Sequence, residues 1–292
     1  MTDRKKLDAS SLKAEKVVAH YLFQSDFYQI KSWAFDFEQE DQSSKGYNDC
    51  LCLVFVRNGN FRFNLSKEQY DLHTGHAIID KPDYEYSLRP AKGQCSIFNF
   101  SREFYDASIE DLNLKYAFFF GNKQLLSLLI KTSPEIEYLH HLILTKAIAG
   151  SKLEIDHLVL ELFQSVAAFI TDSNAEALPP SLRRHHISTM EKAKEYINEN
   201  FASDISLYEI ARFACISPFH FSRVFKQFTS YSPHQYLLNI RLKHAEILLK
   251  NHNMSITDIA IASGFASAEY FATAFGRKYQ MTPSQYRNTQ VK

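Results

Sequence analysis

The residues best suited to chemistry lie in the stretch SPFHFSRVFKQF, residues 217–228. At 100° per residue, Phe221 and Phe225 fall on one face of a helix, and Arg223 and Lys226 fall on the opposite face. The stretch opens with Ser-Pro, a good N-cap followed by a proline suited to the first helical position. Because Arg can bind guanine O6 and N7 and Lys can neutralise a phosphate, the outer face suits the major groove of DNA.

A helix–turn–helix arrangement surrounds this face and is repeated once. A helix at about residues 206–213 and the turn ACIS lead into the stretch, and the same core positions return 49 to 50 residues later, with one extra residue predicted at Gly264-Phe265. Two such units, over about 206–229 and 256–279, are difficult to obtain by chance. The alternative is a solvated face on an ordinary helical hairpin; the duplication favours DNA.

The outer face of the second copy has a different chemistry. It carries Glu269, Ala272, Thr273 and Gly276. The Glu269 carboxylate would repel phosphate, and glycine weakens a helix by about 1 kcal/mol relative to alanine. We therefore predict unequal halves, in which the first unit contacts bases and the second mainly contacts the DNA backbone.

Charge is distributed unevenly, although the formal net charge of the 292 residues is zero. Residues 181–292 contain 14 lysines and arginines against 8 aspartates and glutamates, a net of +6, whereas residues 1–180 contain 19 against 25, a net of −6. A basic part joined to an acidic part is expected if only the basic part meets a polyanion. Small charge differences between domains are also common, so this pattern alone does not decide.

The N-terminus is polar, and no apolar run approaches the ~20 residues that a membrane span needs. The four cysteines form no C-x-x-C pair. We therefore expect a cytoplasmic protein with reduced thiols and no membrane partner.

Residues 50–101 have the composition of short strands separated by turns. CLCLVFV is followed by RNGN and FRFNL, and Asn58-Gly59 predicts a hairpin, because both central positions of a type I′ turn need positive φ. The runs HAIID, YEYSL and CSIFNF follow. The pattern predicts a β-sandwich or small barrel over about residues 15–105.

Helices are expected over about residues 120–172. One broad apolar stripe repeats at helical spacing, formed by Ile155, Leu158, Val159, Leu162, Phe163, Val166, Ala167 and Ile170. It suits either packing on the barrel or a dimer seam, and both can hold. The polar, aperiodic run TDSNAEALPPSLRRHH then predicts a linker over residues 173–187, which separates residues 1–172 from residues 188–292.

Roughly residues 188–288 resemble the DNA-binding domain of AraC/XylS-type transcription regulators. The resemblance is carried by SLYEIA and SPFHFSRVFKQF, by YLLNIRLKHAEILL, and by ITDIAIASGFASAEYFATAFGRKYQMTPSQYR. It implies a long helix over about residues 233–250 that sets the two units one turn of DNA apart. Together with the faces above, it gives these candidate DNA-binding residues: Phe219, His220, Ser222, Arg223, Lys226, Ala268, Glu269, Ala272, Thr273 and Arg277.

The chain departs from the family pattern at two kinds of position. Ser230 and Gln280 stand where a glycine usually follows each recognition helix, and Thr273 stands where the second helix usually has Arg. Non-glycine residues resist the left-handed cap conformation, so both helix ends are expected to be costlier. The missing Arg puts base contact by the second unit in doubt.

The N-terminal strands and the turn DKPDYEY resemble the cupin-type sensing domain of many such regulators. This resemblance implies an effector-sensing and dimerisation domain over residues 1–172. The expected fold class is α+β and multidomain: an N-terminal cupin-like β-barrel with helices, then an all-α DNA-binding domain with two helix–turn–helix units over residues 188–292.

An aromatic-rich barrel suggests a sugar, an aromatic compound or an apolar ligand as the effector. The aromatic candidates for contact with it are Trp33, Phe35, Tyr84 and Tyr86. The candidates for orienting a polar ligand are His20, Arg57 and Arg62. Each is equally compatible with an ordinary structural role.

Metal or thiol chemistry has weaker support. His73 and His76 lie three apart in an expected loop, and no H-x-H is present. Cys50 and Cys52 share one face of a strand, with Cys95 expected nearby, so thiolates could hold zinc or sense an oxidant. Buried reduced cysteine is also common in cores. We expect no metal, no cofactor and no catalytic residue.

The sequence thus predicts a regulator that binds specific double-stranded DNA and is controlled by a small effector, rather than an enzyme. A homodimer is expected, and RNA polymerase is a further candidate partner. Two alternatives stay open: a regulator that senses a partner protein or a redox or metal state, and a metal cupin enzyme fused to a DNA-binding module.

Overall fold

The computed structural model describes residues 17–36, 44–65, 68–89, 92–111, 114, 118–148, 150–172, 180–250 and 254–289. The chain divides into two compact units. The sheet unit comprises Met1–Thr132 and Leu139–Ser188, and the helical unit comprises Ser133–Tyr138 and Thr189–Lys292. The helical unit is therefore built from two separate stretches of chain.

Within the part of the sheet unit that the structure describes, nine antiparallel strands form one sheet. They are β1 (Val17–Gln24), β2 (Tyr28–Asp36), β3 (Ser44–Asn48), β4 (Leu51–Leu65), β5 (Glu68–His73), β6 (His76–Asp80), β7 (Tyr84–Arg89), β8 (Lys92–Phe100) and β9 (Ser127–Lys131). The main order is β1-β2-β8-β4-β6-β9, while β5 and β7 pair with β4 and β3 pairs with β7. Among the described strands β1 and β9 do not pair, so the sheet is a curled half-barrel, which confirms the predicted β-barrel in part.

The predicted hairpin at Asn58-Gly59 is wrong. Strand β4 runs through both residues as one strand, with a register shift against β8 between Val56 and Asn58. Only Gly59 has a positive φ, 74°, whereas a type I′ turn needs two such residues. The positive φ of Gly59 therefore accompanies a local irregularity of β4. After this irregularity, β4 pairs with β5 and β7 instead of β6.

The half-barrel has an inner face with its own buried core, which we call the inner cluster. Its buried members are Cys52, Val54, Val56, Phe63, Leu72, Ile78, Tyr84 and Cys95, and Trp33, Cys50, Tyr70, Tyr86, Ile97, Leu126 and Leu129 pack against them. The opposite face packs on helices: the Phe100 ring lies 5.4 Å from Phe163 and 5.0 Å from Phe104. Side-chain alternation along the strands separates these two layers.

The helices after β8 are α1 (Arg102–Asp111), α2 (Phe118–Gly121), α3 (Pro134–Lys146) and α4 (Lys152–Asp172). All eight residues of the apolar α4 stripe are buried within the single chain, none more than 5% exposed. The stripe is thus core, as one alternative predicted, and the dimer-seam interpretation of these residues is wrong.

Part of the predicted linker is helical. Helix α5 runs Pro180–Asn200, so only residues 173–179 of that segment lie outside the described residues. The polar run lacks apolar periodicity, which concealed the helix, but proline is well suited to a first helical turn.

The helical unit contains α6 (Leu207–Phe213), α7 (Pro218–Thr229), α8 (Pro233–Leu249), α9 (Ile256–Ala262), α10 (Ala268–Tyr279) and α11 (Pro283–Thr289). Helix α8 corresponds to the predicted long connecting helix. Serines cap α6 to α10, each accepting a backbone N–H. Within the described residues, no helix combines the length and apolarity needed to cross a membrane.

Candidate nucleic-acid interface

Helix α7 begins as the sequence predicts. Ser217 is the N-cap, and its hydroxyl accepts the His220 N–H at 3.4 Å. The predicted core face is confirmed, because Phe221, Phe225 and Phe228 are all at most 3% exposed. The side of α7 that carries these rings is therefore fixed, which sets the direction of the other side.

An aromatic contact joins this helix to α8, and a hydrogen bond within α7 secures its last turn. The Phe225 ring packs edge-on against Tyr236, with centroids 5.2 Å apart. At the helix end, the Thr229 hydroxyl donates to the Phe225 carbonyl at 2.8 Å. Such contacts fix the direction in which the outer face of α7 points.

The outer face of α7 carries positive charge. Arg223 and Lys226 are exposed, and His220 and Ser222 are half-buried. The Arg223 Nη2 atom lies 3.5 Å from His220 Nδ1. Phe219 lies on α7, but its side chain is outside the described part of the structure. The face offers one guanidinium and one ammonium group to a polyanion.

The outer face of α10 differs, as predicted. Glu269 is exposed, and hydrogen bonds from the backbone and from Ser267 hold the pKa of its carboxyl below its usual range, so it stays anionic. The Thr273 hydroxyl donates to the Glu269 carbonyl at 2.9 Å. Ala268 and Ala272 are half-buried, and Arg277 is exposed in the last turn.

The tight turns of the two units share a conformation. Ile216 N–H bonds to the Ala211 carbonyl at 3.0 Å, and Phe265 N–H bonds to the Ala260 carbonyl at the same distance. The extra residue of the second copy therefore lies after Phe265, at Ala266, rather than at Gly264-Phe265 as predicted. The spacing of the core residues shows that the second loop is one residue longer, but it does not show at which position the extra residue lies.

Both recognition helices end in the left-handed conformation. Ser230 has φ 68° and Gln280 has φ 58°, and their N–H groups bond to the carbonyls of Lys226 and Gly276. Non-glycine residues therefore occupy both left-handed caps, and the higher cost of these helix ends stays a prediction. Each is expected to cost about 1 kcal/mol relative to a relaxed backbone.

Beneath α7 lies a buried ion pair. Lys194 Nζ on α5 donates to Glu137 Oε1 at 2.6 Å, and the Tyr236 hydroxyl donates to Glu137 Oε2 at 2.5 Å. The Lys194 ammonium also lies 5.9 Å from the Phe228 ring centroid. Burial, followed by the Glu137 charge, raises the pKa of Tyr236, so its hydroxyl remains a donor.

Beneath α10 lies an equivalent group. Lys243 Nζ donates to Glu246 Oε2 at 2.9 Å, and the Tyr286 hydroxyl donates to Glu246 Oε1 at 2.7 Å. Burial alone would raise the pKa of Glu246, but Lys243 and the hydroxyl outweigh it and lower the pKa. We call these two groups the Lys–Glu–Tyr triads of the first and second unit.

The predicted effector residues fall in different places. Trp33, Tyr84 and Tyr86 come together in the inner cluster. Arg57 and Arg62 are exposed, the latter paired with Asp71 at 3.2 Å. His20 is also exposed, and Phe35 lies on β2 with its side chain outside the described residues. The structure thus groups the aromatic candidates and leaves the basic ones apart from them.

Two polar residues of the inner face escaped the sequence analysis. Asp80 ends β6 and Ser127 begins β9, and the two are paired across these strands. Both are buried. The only local signal was a carboxylate closing the apolar run HAIID; the pairing that brings Ser127 to it is not local.

The cysteines of the inner cluster are poor thiolates. Contact with the Cys50 thiol and then burial raise the pKa of Cys52, and burial raises the pKa of Cys95 to about 12. The Cys50 and Cys52 sulfurs lie 3.5 Å apart. Because the thiolate is the reactive form of cysteine, this environment makes Cys52 and Cys95 poor nucleophiles.

The histidine pair lies at the ends of two successive strands that a short turn joins, rather than in a loop. His73 ends β5 and His76 begins β6, and their Nδ1 atoms lie 3.3 Å apart. In the part of the chain that the structure describes, no group of three or more His, Cys, Asp or Glu side chains has a metal-binding arrangement.

Comparison with known proteins bears on the helical unit. A family model described as a helix-turn-helix domain matches residues 210–289. The HTH-type transcriptional regulator YijO of Escherichia coli is 33% identical over 97 residues, covering 33% of this chain and 34% of that protein. The chain thus spans about a third of the length of the first curated relatives it matches.

Other similarities are longer or structural. The HTH-type transcriptional regulator YdeC of Bacillus subtilis is 22% identical over 265 residues, covering 85% of this chain and 88% of that protein. A crystal structure of an AraC-type transcriptional regulator from Chromobacterium violaceum is 28% identical, covers 36% of this chain and 93% of that chain, and has a TM-score of 0.34. Residues 210–289 thus match a helix-turn-helix domain, and this chain is similar in part to curated transcriptional regulators.

Proposed function

We propose that the chain is a transcription regulator that binds a specific double-stranded DNA sequence, chiefly through α7, under the control of a small effector held by the sheet unit. One observation carries the proposal: exposed Arg223 and Lys226 project from a helix whose other face is fixed by three buried phenylalanines. A firmly held helix with a basic outer face suits the major groove.

The two basic side chains have different expected roles. Arg223 can form a bidentate contact with guanine, which discriminates against a wrong base by about 1–3 kcal/mol. Lys226, one turn later, is suited to a phosphate, which adds affinity on any sequence and makes binding depend on salt. Sequence preference therefore rests on Arg223 and general affinity on Lys226.

The second unit is assigned a supporting role. The anionic Glu269 on its outer face disfavours close approach to phosphates, and the Thr273 hydroxyl is already engaged with the helix backbone. Arg277, in the last turn, remains available for a backbone contact. The expected footprint is thus strong in one half and weak in the other.

The experiment is selection of duplexes from a random pool by the full-length chain, followed by affinity measurement across salt concentrations. We expect one enriched motif and a Kd that rises with salt. Lys226→Ala should reduce the slope of log Kd against log salt by about 1 for every sequence. Lys152→Ala, which removes an exposed lysine of the sheet unit, is the matched control. Absence of any enriched motif, or affinity independent of salt, would contradict the proposal.

Dimerisation and contact with RNA polymerase stay predictions. A dimer needs a surface other than the α4 stripe, since that stripe is buried within one chain. The cupin-like character of the half-barrel likewise stays a prediction, supported by its curled antiparallel sheet and inner cluster.

A further inference from the structure

The register of four strands places a row of polar side chains on the inner face of the half-barrel. Ser127 on β9 pairs with Asp80 on β6, and Asp80 pairs with Cys52 on β4. Cys52 pairs in turn with Asn99 on β8. Directly paired residues project to the same face of a sheet, and Cys52 belongs to the inner cluster. All four side chains therefore face inward.

One end of this row is satisfied and the other is not. The Cys52 sulfur lies 3.0 Å from Asn48 Oδ1 and 3.1 Å from Asn99 Oδ1. Asp80 Oδ1 and Ser127 Oγ are buried with no hydrogen-bond partner among the described residues. Because buried polar groups are nearly always hydrogen-bonded, neighbouring exceptions indicate a place for a ligand.

A third unsatisfied group adjoins the same carboxyl. The Tyr84 hydroxyl is buried and has no hydrogen-bond partner among the described residues. Burial raises the pKa of Asp80 to about 7, and the nearby hydroxyls of Ser127 and Tyr84 lower it in part. The hydroxyls therefore lie close to the carboxyl without completing hydrogen bonds of normal geometry.

The carboxyl also lacks a cation. No lysine or arginine of the described residues forms an ion pair with Asp80. The adjacent Lys81 is committed elsewhere, since its Nζ donates to two backbone carbonyls, those of Phe119 and Asn122, each at 2.6 Å. Lys31 shares the inner face, but its ammonium lies 5.0 Å from the Tyr21 ring centroid. Among the described residues, Asp80 therefore has no paired basic side chain, and Lys31 is a basic group whose charge reaches the neighbouring Cys52.

The surroundings of the carboxyl are aromatic. The Phe63 ring lies 5.3 Å from Tyr86 and 6.4 Å from Tyr84, and the two tyrosine rings are 6.1 Å apart. Trp33 packs against the same cluster. Aromatic faces around a buried acceptor attract organic cations, through the ring quadrupole and through contact with the carbon skeleton.

We propose that the inner cluster binds a small protonated amine, with the ammonium group on the Asp80 carboxylate and the hydroxyls of Ser127 and Tyr84, and the carbon skeleton against the aromatic rings. This rests on the proposed function in one respect, that the ligand bound here is the effector that controls DNA binding. The amine supplies donors to all three unsatisfied oxygens and the missing positive charge.

The test uses the full-length chain and its single tryptophan, Trp33, as the reporter. Phenethylamine and butylamine are titrated at mildly alkaline pH, where Asp80 is ionised and the amines are charged. 2-Phenylethanol and phenylacetate serve as neutral and anionic counterparts of the first amine. We expect saturable changes in Trp33 emission with the amines at millimolar concentrations and none with the counterparts. The proposal is overturned if neither amine binds, or if phenylethanol or phenylacetate binds as tightly as phenethylamine.

Two substitutions test whether Asp80 is the residue that binds the amine. Asp80→Asn keeps the size of the side chain and should weaken amine binding by about tenfold or more, the usual effect of losing a charged hydrogen bond. Asp71→Asn, an identical change on the exposed strand β5, should leave amine binding unchanged. Circular dichroism confirms that each variant is folded. Equal amine affinity in Asp80→Asn and in the original chain would refute the assignment.

A second measurement separates this inference from the proposed function. DNA affinity is measured with and without saturating amine. If the amine binds at Asp80 but leaves DNA affinity unchanged, the binding site stands and its role as effector site is refuted. If the chain binds no specific DNA yet binds the amine, the proposed regulator function fails and the amine site remains.

Discussion

The two helix–turn–helix units have the same triad of Lys, Glu and Tyr, but they obtain the carboxylate differently. In the second unit, Glu246 lies on α8 one turn after Lys243. In the first unit, Ile197 occupies the position corresponding to Glu246, and the carboxylate comes from Glu137 on α3. The second triad is thus complete within one helical pair, whereas the first depends on residues from much earlier in the chain.

This difference in the source of the carboxylate shows which groups are present in both copies of the unit. Both units keep a buried lysine and a tyrosine hydroxyl, and both groups require an acceptor. Any carboxylate that reaches them satisfies this requirement, whatever part of the sequence supplies it. The unit with the basic outer face is the one whose acceptor comes from a distant segment.

The largest expected effect concerns this borrowed carboxylate. Glu137→Gln leaves the Lys194 ammonium buried without its counter-ion and should destabilise the helical unit by about 3–5 kcal/mol. Hydrogen exchange measured by mass spectrometry on peptides from α5, α7 and α8 reports the loss. Glu246→Gln should produce a loss of similar size around α10.

A compensating variant tests the physical reason. Replacing both partners, Glu137→Gln with Lys194→Met, removes the unpaired charge and should recover most of the lost stability. Glu199→Gln, an exposed change on α5, is the neutral control. If the double variant is no more stable than Glu137→Gln alone, the buried charge is not the cause.

The turns give the next effect. Gly264 has φ 79°, and a Cβ there would lie 2.7 Å from the Phe201 carbonyl oxygen and 2.8 Å from Ala202 Cα. Gly264→Ala should therefore cost about 2–4 kcal/mol, measured by urea denaturation. Cys215, at φ 58° in the first unit, already carries an exposed side chain, so Cys215→Ala should change stability by less than about 0.5 kcal/mol. Equal losses of stability at both positions would show that the close contacts around Gly264 are not the cause of the loss.

The smallest expected effect concerns DNA directly. Arg223→Ala should weaken binding to the selected sequence by about 1–3 kcal/mol and relax the preference at one base pair. Thr273→Ala, at the corresponding place in the second unit, should change affinity by less than about 0.5 kcal/mol. Fluorescence anisotropy on matched and single-mismatch duplexes measures both. A larger loss for Thr273→Ala than for Arg223→Ala would reverse the assignment of the two units.

Features set by local geometry were predictable from sequence. The two faces of α7 and its Ser217 cap depend only on helical spacing and neighbouring residues, whereas the left-handed ends at Ser230 and Gln280 were expected from the family resemblance. The same local rules failed at Asn58-Gly59, where pairing with other strands carries β4 straight through a turn-like dipeptide. Tertiary pairing outweighed local turn preference there.

Several of the site residues that sequence analysis missed depend on long-range pairing. Asp80 meets Ser127 across a strand pair, and Lys194 meets Glu137 across 57 residues. The residues that flank these four positions in the sequence give no sign of either contact. The basic effector candidates, Arg57 and Arg62, were chosen by residue type, and their exposure could be known only from the pleat of β4 after its irregularity.

The helical unit draws on two stretches, Ser133–Tyr138 and Thr189–Lys292. The segment that sequence comparison identifies, residues 210–289, is therefore only part of this helical unit. A graft or fusion that carried that segment alone would leave behind the acceptor for Lys194 together with Lys194 itself. Recombination between regulators would have to exchange Ser133–Tyr138, at the start of α3, along with the DNA-binding helices, or replace the lysine, to yield a stable hybrid.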